Sequence, residues 1–375
     1  MSELSAHDRL MAILSGSDRR LRARVARALL SALTPAYWAG LHVHMGLFRT
    51  GILRQTSFPC AVVSIGNITT GGTGKTGMTV LLAKVLAEMG LRPAVLAHGY
   101  RASGTHARVV SDGRSVLLTP AEAGDEAAML ARLLPDVPIV IGRRRTESGL
   151  LALSRFSPDV MILDDGFQYW RLHRDLDIVL LDAVEPFGFG HLLPRGLLRE
   201  PLHHLSRAHA VVITQCDRAG PEKVALAKDA AARFAPGKPV WTARYEPVRL
   251  TRLGSDAEEP LCRLSGARAA ALSSIAVPQA FEDTLLALGV SEVFPFRFPD
   301  HYLYSAEDLE RVLRRAQSRR ADLVVTTEKD AVKLASRPAG YGGDVLVLSV
   351  RMAVDNEDSF AGFVAEALRG GAGEH

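Results

Sequence analysis

Only three cysteines occur in 375 residues, Cys60, Cys216 and Cys262, and they stand far apart. No two have the spacing of a zinc ligand set or a disulfide framework, so a reducing, cytosolic setting fits. Charge is also modest. Charged residues make up 23% of the chain against 47% hydrophobic ones, a balance that excludes global disorder and supplies enough apolar material for two cores. No cleavable apolar leader is recognisable near the N-terminus. Internal repeats, low-complexity domains and basic stripes interleaved with aromatics are missing outside the N-terminal helical segment, which argues against nucleic acid as a partner. The net charge of +4 suits phosphates or an anionic surface without choosing between them.

What is present is concentrated between Cys60 and Gly90. The run CAVVSIGNITTGGTGKTGMTVLLAKVLAEMG passes from an apolar strand through a glycine-rich turn into a helix of alanine and leucine. Gly71, Gly72 and Gly74 let the backbone turn tightly with its N–H groups inward, while Lys75 adds a point charge and Thr76 a hydroxyl at a helix N-terminus. This pattern predicts a nucleoside triphosphate site over Thr69, Thr70, Gly71, Gly72, Thr73, Gly74, Lys75 and Thr76. Thr69 stands where the strict pattern has its first glycine.

Residues 18–33 repeat arginine and apolar residues at helical spacing, and residues 28–48 contain no Lys, Arg, Asp or Glu. Pro35, two glycines, His42 and His44 interrupt that run, and arginines flank it. The favoured reading is a helix or helical hairpin in a membrane interface, with Tyr37, Trp38, Leu41 and Phe48 at the acyl boundary; a packed core helix and a true span are the alternatives.

After the phosphate loop, residues 94–97 read as a short buried strand ending in His98-Gly99-Tyr100-Arg101, and the segment to Leu118 as a hairpin around Asp112-Gly113. Tyr100 and Arg101 are candidates for substrate contact or for a surface loop. Asp125 and Glu126 open a helix, where carboxylates serve the helix dipole. Residues 138–141 read as a strand, followed by the run Arg143-Arg144-Arg145, read as a solvated helix start in preference to a phosphate contact. Residues 159–163 form a central strand delivering Asp164 and Asp165, an arrangement that holds Mg²⁺ beside a triphosphate. Strands at 177–182, 210–214, 240–243, 269–273, 323–326 and 345–350 alternate with helices at 221–234, 278–288, 305–319 and 359–368. The alternation predicts an α/β protein with a second α/β sandwich.

Eight segments in order then resemble one family: SIGNITTGGTGKT, GYR, GDEAAMLA, ILDDGFQ, LLPRGLLREP, AVPQAFEDTLLALG, FPDHYLYS and VVTTEKDAVKL. The chain is similar to the bacterial lipid A 4′-kinases, or tetraacyldisaccharide 4′-kinases, which tolerate threonine at the position of Thr69. The resemblance implies ATP and Mg²⁺ as cofactors and transfer of the γ-phosphate to the 4′-hydroxyl of a tetraacyldisaccharide 1-phosphate, giving lipid IVA. It also implies a peripheral, monomeric protein at the cytosolic face of the inner membrane. The implied architecture is two α/β/α domains, a P-loop NTPase-like one at 51–176 completed by 351–375 and a smaller one at 183–344, after a membrane segment at 1–50. Linker strands are expected at 177–182 and 345–350.

By the same resemblance, Lys75 and the loop amides hold the β- and γ-phosphates, and Thr76 with Asp164 or Asp165 holds the metal. Glu126 is a further metal candidate. Asp125 becomes an acid/base candidate with His301 as its partner, expected in different domains and joined by closure. Arg199, with Arg195 less directly, is expected on nucleotide or substrate phosphate, and Tyr100, Arg101 and Gln168 on substrate. His98 departs from the arginine common in the family at that position. Two other readings compete. A phosphate-loop GTPase or metallochaperone would also use GGTGKT, although Thr214-Gln215-Cys216-Asp217 lacks the form of a guanine-recognition motif. A non-catalytic membrane-bound nucleotide switch is the second.

Overall fold

The computed structural model describes residues 6–99, 102, 104, 106–255, 257–300, 302–335 and 345–371. The chain opens with helices α1 (Ala6–Ser15) and α2 (Leu21–Arg49), strand β1 (Ala61–Asn67), helix α3 (Lys75–Glu88) and strands β2 (Pro93–Ala97) and β3 (Arg108–Asp112). One turn of helix, α4 (Pro120–Ala123), leads to α5 (Asp125–Leu133), β4 (Pro138–Ile141), α6 (Arg145–Phe156), β5 (Val160–Asp164), β6 (Leu176–Asp182) and β7 (Ala210–Thr214). Then come α7 (Pro221–Phe234), β8 (Val240–Arg252), β9 (Glu258–Glu259), β10 (Arg268–Ser273), α8 (Pro278–Ala287) and β11 (Glu292–Arg297). The chain ends with α9 (Ala306–Ser318), β12 (Leu323–Thr327), α10 (Glu328–Ala335), β13 (Val345–Val354) and α11 (Glu357–Gly371).

These elements form two compact units: Met1–His98 with Arg144–Arg244 and Val354–His375, and Gly99–Arg143 with Tyr245–Ala353. In the first, parallel strands run in the order β2, β5, β1, β6, β7, continued by the start of β8. The five full strands are apolar and almost wholly buried, as parallel strands covered on both faces must be. From β1 the chain crosses through α3 to β2, returns to fill the gap with β5, and then emerges on the other side of β1 as β6. The order therefore reverses at β1, which places a crevice at the carboxyl ends of β1 and β5. In the second unit β11, β10, β12 and β13 are parallel, with antiparallel pairs β3–β4 and β8–β9.

The division differs from the expected one. Leu176–Asp182 is not a linker but an internal strand, bonded to β1 on one side and β7 on the other. The strands that pass from one unit to the other are β8 and β13, each longer than its apolar core: β8 carries on through Glu246, Arg249 and Arg252, beyond the residues that read as strand. The segment 99–143, expected in the first domain, lies in the second. The C-terminal helix does return to the first unit, where Phe360 is fully buried and meets the Trp241 ring edge-on at 5.4 Å.

Helix α2 is one continuous 29-residue element with Pro35 inside it. Among the described residues no helix is long and apolar enough to cross a membrane. Leu21, Val25, Leu29 and Leu33 repeat every fourth residue on its exposed side, and Leu21 is 75% exposed. Phe48 and Met45 face inward, and the Tyr37 hydroxyl donates to the Arg199 carbonyl at 2.7 Å. Tyr37 and Phe48, expected at an acyl boundary, are thus engaged by the protein: the four-residue stripe drifts around the helix, so that Tyr37, its next member, and Phe48 have turned away from the exposed leucines.

Gly66 in β1 is a point of close approach: a Cβ there would lie 2.5 Å from Phe167 Cβ and 2.8 Å from the Phe167 amide nitrogen. Gly66→Ala is therefore expected to lower stability by about 1–3 kcal/mol through overpacking, read as a lower urea midpoint with an unchanged slope.

Candidate functional site

The loop from Ile68 to Gly74 leaves β1 at the reversal point and is held from several sides. Thr70 N–H donates to Leu197 O at 2.7 Å and Arg199 N–H to Ile68 O at 2.7 Å. Asn67 Nδ2 donates to Thr73 Oγ1 at 2.8 Å. From the end of β7, Thr214 Oγ1 donates to Thr73 O at 2.8 Å and Gln215 Nε2 to Gly72 O at 2.9 Å. With these carbonyls engaged, the peptide planes of the loop are fixed. Gly71 and Gly74 sit at φ 123° and 90°, conformations that only glycine adopts without strain. Gly74 is the N-cap of α3, so Lys75 and Thr76 occupy its first turn, where free backbone N–H groups and the helix dipole attract an anion.

Strand β5 is in register with β1, Asp164 opposite Ile65, so its carboxyl end arrives beside this loop. Asp164 is 6% exposed and accepts from Thr79 Oγ1 at 3.1 Å. The next residue leaves the strand: Asp165 has φ 55°, and Gly166 donates back to Ile65 O at 2.9 Å. A Cβ on Gly166 would meet Leu163 and Ser64 at 2.6–2.7 Å, so the turn that presents Asp165 requires glycine there. Asp165 Oδ1 lies 3.8 Å from Lys75 Nζ, and Arg199 Nη1 donates to Oδ1 and Oδ2 at 2.8 and 3.0 Å. Burial opposes ionisation of Asp165, but Lys75, Arg199 and Arg145 outweigh it and hold the carboxyl below its ordinary value of 3.8.

Gln168 connects this centre to a buried carboxylate. Its Oε1 accepts from Arg199 Nη1 at 3.2 Å, and its Nε2 donates to Asn67 O at 2.9 Å and to Glu200 Oε1 at 3.1 Å. Glu200 is fully buried, 2.8 Å from His204 Nδ1 and bonded to the Arg207 guanidinium. Burial raises its pKa, yet His204 and Arg207 prevail and the carboxyl lies below the ordinary range.

Arg145 corrects the reading of Arg143-Arg144-Arg145 as a solvated helix start. Arg143 and Arg144 are exposed, but Arg145 is 4% exposed, reaching His98 Nδ1 at 2.6 Å and Asp164 O at 3.3 Å. Sequence reasoning also passed over Asn67, Thr79 and Glu200. Thr214 and Gln215, weighed for guanine recognition, brace the phosphate loop instead.

In the second unit Gly124, at φ 84°, starts α5, putting half-buried Asp125 and exposed Glu126 in its first turn. Helix α5 packs against α10. Lys329 of α10 bonds Asp300 at 2.9 Å, while Tyr302 and Tyr304 donate to Asp308 and Asp330, both at 3.1 Å. Asp330 and Lys333 are buried together at 2.8 Å. Tyr100, Arg101 and His301 lie outside the described residues. Asp125 belongs to the same unit as Asp300 and Tyr302, contrary to the expected separation into two domains.

A family model described as tetraacyldisaccharide-1-P 4′-kinase matches residues 26–369. The chain belongs to this kinase family. The tetraacyldisaccharide 4′-kinase of Syntrophus aciditrophicus (strain SB) is 39% identical over 357 residues, covering 92% of this chain and 93% of that one. Its counterpart from Anaeromyxobacter dehalogenans (strain 2CP-C) is 44% identical over 326 residues, 87% of this chain and 86% of that one. A crystal structure of LpxK from Aquifex aeolicus in complex with ATP is 31% identical and superposes with a TM-score of 0.75, over 92% of this chain and 99% of that chain. The fold is accordingly the P-loop NTPase-like α/β architecture of the kinase family, as the motifs implied.

A lowered carboxylate pKa adds stability above the group's unfolded value, and that stability is lost as pH falls through the folded value. Asp165→Asn should therefore be less stable than the wild type at pH 7, with the difference shrinking as pH drops below about 4. Urea unfolding of both proteins across this range checks it; a pH-independent difference would contradict the ion pairing.

Proposed function

We propose that the protein transfers the γ-phosphate of ATP to the 4′-hydroxyl of a tetraacyldisaccharide 1-phosphate, yielding lipid IVA for lipid A synthesis. The observation that carries this reading is the Lys75–Asp165–Arg199 cluster at the mouth of a glycine loop, in a chain matched over most of its length by the kinase family. Lys75 and the first-turn amides of α3 bind the β- and γ-phosphates, and Arg199, which shares Asp165 with Lys75, is assigned to phosphate beside them.

The donor set fits Mg²⁺. Thr76, Asp164 and Asp165 supply hard oxygens, and among the described residues no cluster of three His, Cys, Asp or Glu builds an all-protein cage. An ion held by one or two carboxylates takes its other positions from water and phosphate, and when bound it neutralises charge on the transferring group. Glu126, exposed in the second unit, is placed second to these as a ligand. In the acceptor half, Asp125 accepts the proton of the attacking hydroxyl, and His301 orients it or raises its basicity. Support comes from the α5–α10 packing and from Lys329 holding Asp300, the neighbour of His301 in sequence. Tyr100, Arg101 and Gln168 are assigned to the substrate side, although Gln168 has the firmer role of orienting Arg199. Asp125 as a general base contributes about 10²- to 10⁴-fold.

Phosphate transfer from radiolabelled ATP to the lipid acceptor tests the reading. Lys75→Ala should abolish transfer, and Asp125→Ala or His301→Ala should lower kcat by more than they raise KM for ATP. Substantial activity in Lys75→Ala would sink the phosphate-loop assignment, and unchanged turnover in either other variant would remove that residue from the mechanism.

The exposed stripe of α2, with arginines at its N-terminal end, supports peripheral binding to an anionic bilayer, assigned to the cytosolic face of the inner membrane. Leu29→Glu with Leu33→Glu should reduce co-sedimentation with anionic phospholipid vesicles by about an order of magnitude or more, since two apolar anchors become charges, while the melting temperature stays close to that of the wild type.

A further inference from the structure

Two ties lead from the phosphate centre to helix α2. The Tyr37 hydroxyl donates to the carbonyl of Arg199 at 2.7 Å, across 162 residues of sequence. Arg199 is also fixed through its amide, which donates to Ile68 O at 2.7 Å, so the residue is pinned on both sides of its backbone, once by the phosphate loop and once by α2. The second tie runs through the ring of His42, 4.1 Å from Trp38 and 5.8 Å from His204. His204 meets Glu200, Glu200 accepts from Gln168, and Gln168 accepts from Arg199. Arg207 closes the far side of Glu200 and lies 4.1 Å over the Phe167 ring, so the carboxylate has no room to reorient. Resting on the assignment of Arg199 and Asp165 to the nucleotide site, we propose that Tyr37 and Glu200 are positioning residues for phosphate transfer: they hold Arg199 and Gln168 so that the guanidinium meets Asp165 beside Lys75, and α2 thereby shapes the nucleotide site.

The consequence is specific. A helix that merely anchors the protein would affect the lipid acceptor when perturbed; a helix that sets Arg199 affects MgATP. Tyr37→Phe keeps the ring and removes only the donor. In the full-length protein, its KM for MgATP should rise about two- to tenfold, the worth of one net hydrogen bond, while KM for the lipid acceptor stays unchanged and the melting temperature falls by no more than a few degrees. Glu200→Gln should shift the same constant in the same direction; if that variant fails to fold, Tyr37→Phe carries the test alone. Adding Tyr37→Phe to Arg199→Lys should cost nothing further, because the two act through one residue.

An unchanged KM for MgATP in Tyr37→Phe, or full additivity with Arg199→Lys, overturns the proposal. If Arg199→Lys itself leaves KM for MgATP unchanged, the nucleotide assignment of Arg199 fails instead, and the proposal falls with it.

Discussion

The geometry of the phosphate centre depends on one carboxylate held between two cations. At an effective dielectric of about 20, an ion pair at about 3–4 Å gains roughly 4–6 kcal/mol, and the Asp165 carboxylate makes two such contacts, to Lys75 and Arg199. Desolvating the three charged groups takes back several kcal/mol per ion, so the net contribution to folding is small. What the arrangement secures is position. Without its cations Asp165 would be a carboxylate at a positive φ beside buried strand ends, and without Asp165 two cations would crowd a loop of inward-facing amides.

The surroundings follow from that constraint. Asp165 can leave β5 only because Gly166 tolerates the close approach of Leu163 and Ser64. Arg199 reaches it only because the segment before it is bonded to Ile68 and Thr70, strand-like, across the loop. Gln168 is oriented by a buried Glu200, whose charge is in turn paired with Arg207 and whose second contact is the His204 ring. Each step places a polar group in the interior with a named partner, the condition under which burial costs least.

Much of this was legible in the sequence. The glycine loop and the strand leading into Asp164-Asp165 were readable, because a phosphate loop demands particular residue types at fixed spacing, whereas Arg199 was picked out only through the family resemblance. Arg145, Thr79 and Glu200 were not, because a single polar residue in a helix turn or loop has no pattern; only the fold reveals that it is buried. Strand β11 escaped notice because EVFPFR carries Pro295 and alternates exposure, which suits an edge strand bonded only to β10. Of the two expected linkers, 345–350 falls within β13, which does pass between the units, and only 177–182 was misplaced. Between Asp177 and Asp182 the run 178–181 is apolar and buried, the mark of a central strand, whereas β8 past Arg244 carries Glu246, Arg249 and Arg252 as it leaves the first unit.

The helix α2 shows why composition alone misassigned Tyr37 and Phe48. Aromatic residues in an uncharged run suit both a membrane interface and a protein interior, and 3.6-residue periodicity separates the two faces only when the phase is known. The leucine spacing 21, 25, 29, 33 sets that phase, because a stripe every fourth residue occupies one side and leaves Ala23, Met45 and Phe48 on the buried one. Tyr37 continues that same spacing, yet it turns inward: a repeat of four drifts by about 40° per step against 100° per residue, so by the fifth member the stripe has wound well around the helix. That drift brings the hydroxyl to Arg199, and it makes one helix serve an exposed apolar face along its first half and the phosphate centre along its second.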